Sequence, residues 1–457
     1  MSQQRTVTTP TEVDVTRARW LLMVMFGLLG VTSSSWLARL PSVRGLLGLS
    51  PAGLGSLLIV GALGSLLTVT VSGYLVTRFG GRLTMTVSAV GFAIAFVLIG
   101  LGTAIPSVAL VALGVFLTGS SAALGSIPLN IETATVERRV GRAILPQFHA
   151  GFSIGAVLGS LFGAAMAALQ VTPFAQFTAV AVVGLAIRLY AIPHVIIESG
   201  VRSPTAWDAA DAGAPGGAAS SGVAWQDVQA ARTSRGSGIR SALSAWRERR
   251  TVLIGVVILS AALSEGAANN WLAIAVVDGF HRAEAVGGVM FAVFVGSMTL
   301  VRMLGTRLID RFGRVAVLRT SGLVSLGGLL AFGLMPSLSL AGIGVMAWGL
   351  GAALAVPIGI SAASEEPARA AVRVSVVSSF SSMASLSAPP LLGLVVQQIG
   401  ARHALLLICV AMVVSVAVSG TVRRAEPALR GGAAEAVPER IPSGHLVEIA
   451  ADCKVPA

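Results

Sequence analysis

Charged residues are scarce in this chain of 457 amino acids. Only 11% of the residues are Asp, Glu, Lys or Arg, against about 25% in soluble domains. The mean hydropathy of +0.84 is correspondingly high. This composition excludes an ordinary soluble domain and indicates a polytopic membrane protein whose main partner is the lipid bilayer.

Lysine and cysteine are almost absent. Because Lys454 is the only lysine, the formal net charge of +12 is carried by arginine. The arginines lie in short loops between apolar runs, which is typical of cytoplasmic loops and argues against a nucleic-acid partner. Cys409 lies in an apolar run and Cys453 in the C-terminal tail, a pattern that predicts neither a disulfide nor a metal site. The sequence has no nucleophile–base or metal constellation, so we expect neither an enzyme nor a cofactor.

Long apolar runs fill most of the chain. Each is about 20 residues long, enough to cross a hydrocarbon core about 30 Å thick. Backbone groups in lipid must satisfy one another, so we predict an all-α membrane protein. The runs, called spans 1 to 12, lie near residues 19–38, 52–76, 84–102, 107–131, 147–168, 174–194, 251–273, 286–306, 315–335, 338–361, 375–396 and 402–422. Span 1 is long enough to remain in the membrane, so we expect no cleavable signal peptide.

The spans form two sets of six with a polar segment between them. That segment is rich in Gly, Ala, Ser and charge, which predicts a linker of low ordering propensity. We therefore predict an N-terminal tail at 1–18, a six-helix bundle at 19–195, a linker at 196–250, a second six-helix bundle at 251–422 and a C-terminal tail at 423–457.

Arginine counts in the loops predict the orientation. Alternate loops are rich in arginine, for example at Arg78, Arg138 and Arg311, whereas the loops between them are poor in it apart from Arg39, Arg44, Arg282 and Arg402. Arg-rich loops stay in the cytoplasm. We expect a multi-pass protein of a bacterial inner membrane, with the tails and the linker in the cytoplasm.

The second half of the chain repeats the first in three places. Gly73–Arg82 reads GYLVTRFGGR and Gly305–Arg314 reads GTRLIDRFGR. Trp-Leu-Ala ends both span 1 and span 7, at Trp36 and Trp271. The pattern of residues 128–159 recurs in residues 357–393: a proline, a loop in which acidic residues precede basic ones, and a helix of small residues. Parallel six-helix repeats of this kind are the architecture of one large class of transporters.

The repeated loop resembles a motif of the major facilitator superfamily, Gly-x-x-x-Asp-Arg-x-Gly-Arg. The resemblance implies twelve helices in two pseudo-symmetric six-helix bundles, and a motif acid that locks the outward-open packing of the halves. Thr77 replaces that acid in the first copy. We also expect Arg302 to join the network of this loop. The matching positions are Gly73, Arg78, Gly80 and Arg82 in the first copy, and Asp310, Arg311, Gly313 and Arg314 in the second, with its glycine shifted to Gly305.

Within that superfamily, the stretch around span 5 is similar to MosC-like bacterial inner-membrane proteins. The similar patterns are N-x-E at Asn130 and Glu132, E-R-R-x-G-R at 137–142, and F-H-x-x-x-S-x-G beginning at Phe148. Drug–proton antiporters of the superfamily usually carry a Gly-Pro pair in span 5. Its absence here weighs against multidrug export.

Ionisable residues inside spans are functional candidates by default. Glu132 is either a proton acceptor or a helix-end carboxylate paired with a nearby arginine, and Asn130 points about 200° away from it. His149 suits proton coupling because it titrates near physiological pH, or it holds the turn between spans 4 and 5. Ser153 shares its helix face, and Ser378 is the counterpart of His149 in the repeat.

Glu265 lies deep in span 7 with Asn269 one turn further on. It is either a proton carrier or the partner of an arginine on a neighbouring helix. Trp36 and Trp271 either stack on a substrate ring or anchor the helices at the membrane surface. Arg188, near the inner end of span 6, is expected to snorkel to that surface.

Four glycines recur at every fourth position of span 5. The spacing predicts close helix packing, which we expect to serve the interface along which the two bundles rock. The four are Gly151, Gly155, Gly159 and Gly163.

The sequence thus predicts a secondary transporter that works by alternating access, coupled to protons and monomeric. Its substrate is expected to be a small polar organic molecule, with a sugar-like solute as one candidate. An exporter of drugs or metabolites, and a non-transporting sensor built on a transporter scaffold, are the alternatives.

Overall fold

The computed structural model describes residues 12–141, 144–196 and 244–423. These residues are helical and contain no β-strand, so the predicted all-α class is confirmed. The N-terminal tail up to residue 11, the linker from 197 to 243 and the C-terminal tail from 424 lie outside the described residues.

The helices follow the predicted spans. In the first half, span 1 is Glu12–Leu37, spans 2 and 3 together form Pro51–Ala104, and spans 4, 5 and 6 are Val108–Val140, Leu145–Ala168 and Pro173–Val195, with a short helix Leu40–Leu46 after span 1. In the second half, spans 7, 8 and 9 are Arg249–Phe280, Glu284–Phe312 and Arg314–Leu334, span 10 is Leu338–Ala352 and Ala355–Ala363, span 11 lies in Pro367–Ala404, and span 12 continues through Ile408–Val418.

Among the described residues, ten helices are long and apolar enough to cross a membrane. Two of the ten, Pro51–Ala104 and Val372–Val422, are more than 50 residues long. The first turns at Gly80 and the second at Gly400, so each supplies two crossings. The described chain therefore has the twelve predicted spans. Span 1 begins at Glu12, seven residues before the predicted boundary at 19.

The duplication extends to the backbone angles of the loop motif. Gly80 has φ +83° and ψ 157°, and Gly313, at the matching place in the second copy, has φ +77° and ψ 157°. L-amino acids with a side chain rarely adopt this region, so glycine is required where one helix ends and the next begins.

Glycine also lets the spans approach closely, as predicted for span 5. The four regularly spaced glycines of span 5 face span 1: Gly155 lies against the backbone of Gly27, and Gly159 against that of Val31. This contact is inside the first half. The stripe therefore fixes span 5 to span 1 and does not form the interface between halves as expected. The reason is that a second face of span 5, not visible in the glycine spacing, meets the other half.

The two halves meet along two antiparallel helix pairs. Span 5 packs on span 8, where the Ser160 hydroxyl donates to the Gly288 carbonyl oxygen at 2.8 Å. Span 2 packs on span 11, where the backbone at Gly55 lies against Pro389 and Pro390. Small residues at these crossings allow the backbones of the two halves to approach closely.

Ion pairs fasten the halves at the Arg-poor end, which carries the loops after spans 1, 3, 5, 7, 9 and 11. Arg39 pairs with Glu284 at 3.4 Å, and Arg44 pairs with Asp278. The backbone N–H of Ser42 also donates to Glu284, at 2.9 Å. These contacts explain the presence of Arg39 and Arg44 at this end.

At the opposite, Arg-rich end, the described ion pairs stay within the second half. Glu365 pairs with Arg314 at 2.5 Å and Arg250 at 2.6 Å, and Glu248 pairs with Arg373 at 2.7 Å. Partial burial acts to raise the pKa of Glu248, but hydrogen bonds from Arg373 and Thr251 and the nearby arginine charges more than offset this and lower it. The described ion pairs that join the halves therefore all lie at the Arg-poor end.

A glycine substitution tests the backbone requirement of the loop motif. Gly80→Ala or Gly313→Ala meets open space, so the loss of stability comes from the positive φ alone and is about 1–3 kcal/mol. Gly327→Ala in span 9 also meets open space but is helical, and is expected to be neutral or stabilising. Thermal unfolding of the purified variants measures the difference. Equal unfolding midpoints for all three variants would contradict the requirement.

Candidate transport site

A buried ion pair lies at the centre of the second half. The Arg302 guanidinium on span 8 donates to the Glu265 carboxylate on span 7 at 3.0 Å, and both side chains are almost inaccessible. Arg302 Nε also donates to the Ala353 carbonyl oxygen at 3.2 Å. Glu265 therefore has the arginine partner on a neighbouring helix that the sequence suggested as one alternative. A buried pair contributes little net stability, but loss of one partner leaves an uncompensated charge.

The sequence predicts that Arg302 joins the ion-pair network of the Asp310 loop. In the structure, Arg302 pairs with Glu265 instead. Side chains on a helix lean toward its N-terminus. Since span 8 begins at the Arg-poor end, Arg302 leans toward the membrane centre and away from Asp310. Sequence distance along the helix was therefore a poor guide to its partner.

His149 lies across the interface from this pair. Along the antiparallel contact of spans 5 and 8, Ala164 faces Gly288 and Val157 faces Gly296. Two turns further along both helices, the same register places His149 opposite Arg302. The two residues interact electrostatically. Ionisable groups from both halves, the His149–Glu265–Arg302 cluster, therefore lie at a similar level on the two sides of the interface.

Hydroxyl and aromatic groups surround this cluster. Ser153, one turn from His149, is buried, and the His149 ring packs against Phe26 of span 1 at 5.7 Å. Beside Glu265, the Ser264 hydroxyl accepts a hydrogen bond from Trp348 Nε1 at 2.8 Å. Trp348 was not among the predicted residues, because nothing near it in the sequence is charged.

The other polar candidates are held by local contacts. Asn130 donates to the Ser126 carbonyl oxygen of its own helix at 2.9 Å. Asn269 is half-buried one turn beyond Glu265. Ser378 is buried on span 11, where its carbonyl oxygen accepts from Ser382. None of these contacts links them to the central cluster.

Glu132 lies beside the loop between spans 2 and 3. A Cβ atom added at Gly81 would be 4.0 Å from its carboxylate. In the second half, Arg314 of the repeated motif donates to Ser361 at 2.9 Å, and Ser361 is the counterpart of Glu132 in the repeat. Ser361 contacts the loop motif of the second half, and Glu132 lies at the matching position beside the loop motif of the first half.

The motif residues differ in their surroundings. Arg314 is engaged by Glu365 and Ser361, whereas Asp310 is exposed. Arg78 and Arg311 lie over the rings of their neighbours Phe79 and Phe312. The outward-state lock that the family resemblance implies for the motif acid is not formed by an exposed Asp310.

The two tryptophans of the Trp-Leu-Ala repeat are buried. Trp271 is fully inaccessible, and Trp36 packs against the ring of Phe177 at 5.8 Å. This burial does not fit an anchor exposed to lipid headgroups. The indole N–H of Trp271 has no hydrogen-bond partner among the described residues.

Breaking the central pair provides a stability test. Glu265→Gln alone leaves Arg302 buried without a counter-ion, and we expect it to lower the free energy of unfolding by about 3–5 kcal/mol. Glu265→Gln combined with Arg302→Met removes both charges and restores most of that loss. A double-mutant cycle of thermal unfolding measures the coupling. Additive effects of the two changes would contradict the pairing.

Relatives of this chain are bacterial transporters and a bacterial membrane protein. It is 26% identical over 343 residues to an uncharacterized transporter, y4wD, of Sinorhizobium fredii, an alignment that covers 75% of this chain and 81% of the relative. It is 25% identical over 391 residues to the membrane protein MosC of Rhizobium meliloti, covering 84% of each. The resemblance to MosC-like proteins is thereby confirmed.

Solved structures of transporters share the fold. The nucleoside transporter NupG superposes with a TM-score of 0.66 at 13% identity, covering 89% of this chain and all of that one. An inward-facing bacterial homologue of the lysosomal transporter Spinster gives 0.67 at 15% identity, covering 91% and 100%. The Escherichia coli fucose:proton symporter FucP gives 0.55 at 15% identity, covering 89% and 98%.

The sequence model of the Major Facilitator Superfamily matches residues 18–365 and 254–449, which together span most of the chain. The match covers both halves, the two loop motifs and the central cluster. Together with the twelve spans and the two six-helix bundles, it shows that this chain belongs to the Major Facilitator Superfamily of transporters.

Proposed function

We propose that the protein carries a small organic solute across a bacterial inner membrane by alternating access, driven by protons. The observation that carries the proposal is the His149–Glu265–Arg302 cluster, in which titratable groups of both halves meet within the membrane. Ionisable residues at this depth are costly and serve solute or proton pathways. The solute site lies between the halves, near the middle of the bilayer.

The Arg-rich end faces the cytoplasm in this proposal, following the arginine bias of the loops. The structure then corresponds to an inward-facing state, closed on the outside by Arg39–Glu284 and Arg44–Asp278. Opening to the outside has to break both pairs. Arg39 and Glu284 are both largely buried now, and water entering the opened end would solvate them separately.

Proton coupling follows from the charges of the cluster. With Glu265 ionised and His149 neutral, the charges of Glu265 and Arg302 cancel. A proton added to either Glu265 or His149 leaves a net positive charge, which a dehydrated interior disfavours. The proton can therefore be loaded and released only when water or solute reaches the cluster, and this ties its passage to the conformational change.

Glu265 is proposed as the proton carrier, with His149 as the second titratable group. Glu132 is proposed to act in gating, because it lies beside Gly81 of the loop motif. Ser153, Asn269 and Ser378 are proposed to contribute polar contacts to the solute.

Transport assays in proteoliposomes test the function. With an imposed proton gradient, a panel of sugars, nucleosides, amino acids and drugs is screened for gradient-dependent flux in both directions. Glu265→Gln should abolish proton-driven accumulation but spare solute exchange, because exchange needs no net proton movement. Glu366→Gln, a change at an exposed carboxylate of the Arg-rich end, is the matched control and should behave as wild type.

Three results would contradict the proposal. Full driven uptake by Glu265→Gln would remove its role as proton carrier. No gradient-dependent flux for any solute would favour the sensor, and outward flux of drugs would favour the exporter.

A further inference from the structure

Arg188 of span 6 is buried inside the first half. It is only 6% exposed, and its guanidinium carbon lies 4.5 Å from the centroid of the Phe92 ring of span 3. Leu28 of span 1 and Gly184 of span 6 lie beside it. Arg188 does not snorkel to the membrane surface as the sequence suggested.

The direction of span 6 explains this position. Span 6 begins at the Arg-poor end with Pro173, and side chains on a helix lean toward its N-terminus. Arg188 therefore leans back into the membrane, and Phe92, which it covers, is near the middle of span 3. The guanidinium lies close to mid-depth in the first half.

Arg188 differs in its partners from three other arginines that are buried or partly buried. Arg39 has Glu284, Arg302 has Glu265, and Arg402 donates to the carbonyl oxygens of Phe332 and Met335. Among the described residues, no carboxylate pairs with Arg188, and its buried Nη2 has no hydrogen-bond acceptor. A buried charge without a counter-ion is among the most costly features a membrane protein can hold.

The position of the guanidinium over the Phe92 ring leaves its N–H donors able to bind an anion. A guanidinium lying over an aromatic ring keeps its N–H donors in the plane, directed sideways. Two parallel donors of that plane match the two oxygens of a carboxylate. Phe92 therefore orients the group and leaves its hydrogen-bonding edge free.

We propose that Arg188 is the anion-recognition residue of the transport pathway, and that the solute is an organic acid carrying one carboxylate. This inference rests on the proposed transport function. Glu265 and Arg302 cancel each other, so one positive charge at mid-depth remains for the solute to neutralise. A monoanion bound at Arg188 leaves the mid-depth groups of both halves neutral when the protein dehydrates the site during the transition.

Thermal stability without ligand separates this role from a purely structural one. Arg188→Met removes an uncompensated charge and keeps similar bulk, so its unfolding midpoint should rise by a few degrees. Arg402→Met is the matched control, because Arg402 also lies over a ring, that of Phe280 at 4.3 Å, but satisfies two carbonyl oxygens. Its midpoint should fall. A fall of similar size for Arg188→Met would overturn the proposal.

Matched pairs of acids and amides test recognition directly. The purified protein is heated with lactate or lactamide, benzoate or benzamide, nicotinate or nicotinamide, and glucuronate or glucuronamide, and with sodium chloride at equal ionic strength. At least one acid should raise the unfolding midpoint of wild type while its amide does not. Arg188→Lys should keep a weakened response, and Arg188→Met should lose it at least tenfold in apparent affinity.

The opposite results are equally informative. No acid-selective shift, equal shifts by acid and amide, or equal protection by chloride would each overturn the carboxylate assignment. Proton-driven flux of neutral solutes only would leave the transport function standing and remove the anion site. Acid-selective binding without flux would retain the site and remove the transport function.

Discussion

The cost of placing charge in a hydrocarbon interior governs this protein. An ionisable side chain at mid-membrane costs about 2.5–3.5 kcal/mol even on permissive insertion scales, so its presence needs a partner or a role. Arg302 has a partner in Glu265, and Arg39 has one in Glu284. Arg188 lies over the ring of Phe92 and has no paired carboxylate among the described residues. These three arrangements correspond to three proposed tasks: proton coupling, closure of the outer end and recognition of the solute.

Close packing by small residues makes these electrostatic tasks compatible with motion. Span 5 uses one face of glycines to hold span 1 and another face to meet span 8. In the proposed transport cycle, the first contact keeps the half rigid and the second slides on its neighbour. His149 is carried on the same helix, so movement of span 5 changes its position relative to Arg302.

The features that follow from local rules could be predicted from the sequence. Twelve apolar runs gave the spans, and the repeated Arg-Phe-Gly pattern located Gly80 and Gly313, whose matching φ angles show the duplication in the backbone. Contacts between spans distant in sequence could not be predicted. Arg302 and Glu265 are 37 positions apart in the sequence, and Arg188 and Phe92 are nearly a hundred positions apart. Only the direction in which each helix crosses the membrane, combined with the lean of its side chains, decides which group such a residue reaches.

The central claim is that protonation of Glu265 controls which end of the protein is open. The most direct measurement is the distance between two spin labels at the Arg-rich end, obtained by pulsed electron–electron double resonance. The labels are attached to Thr77→Cys and Ser364→Cys in a protein that lacks Cys409 and Cys453. Lowering the pH should shift the wild-type distance distribution, and Glu265→Gln should hold the low-pH distribution at every pH. A pH response in Glu265→Gln equal to that of wild type would contradict the claim.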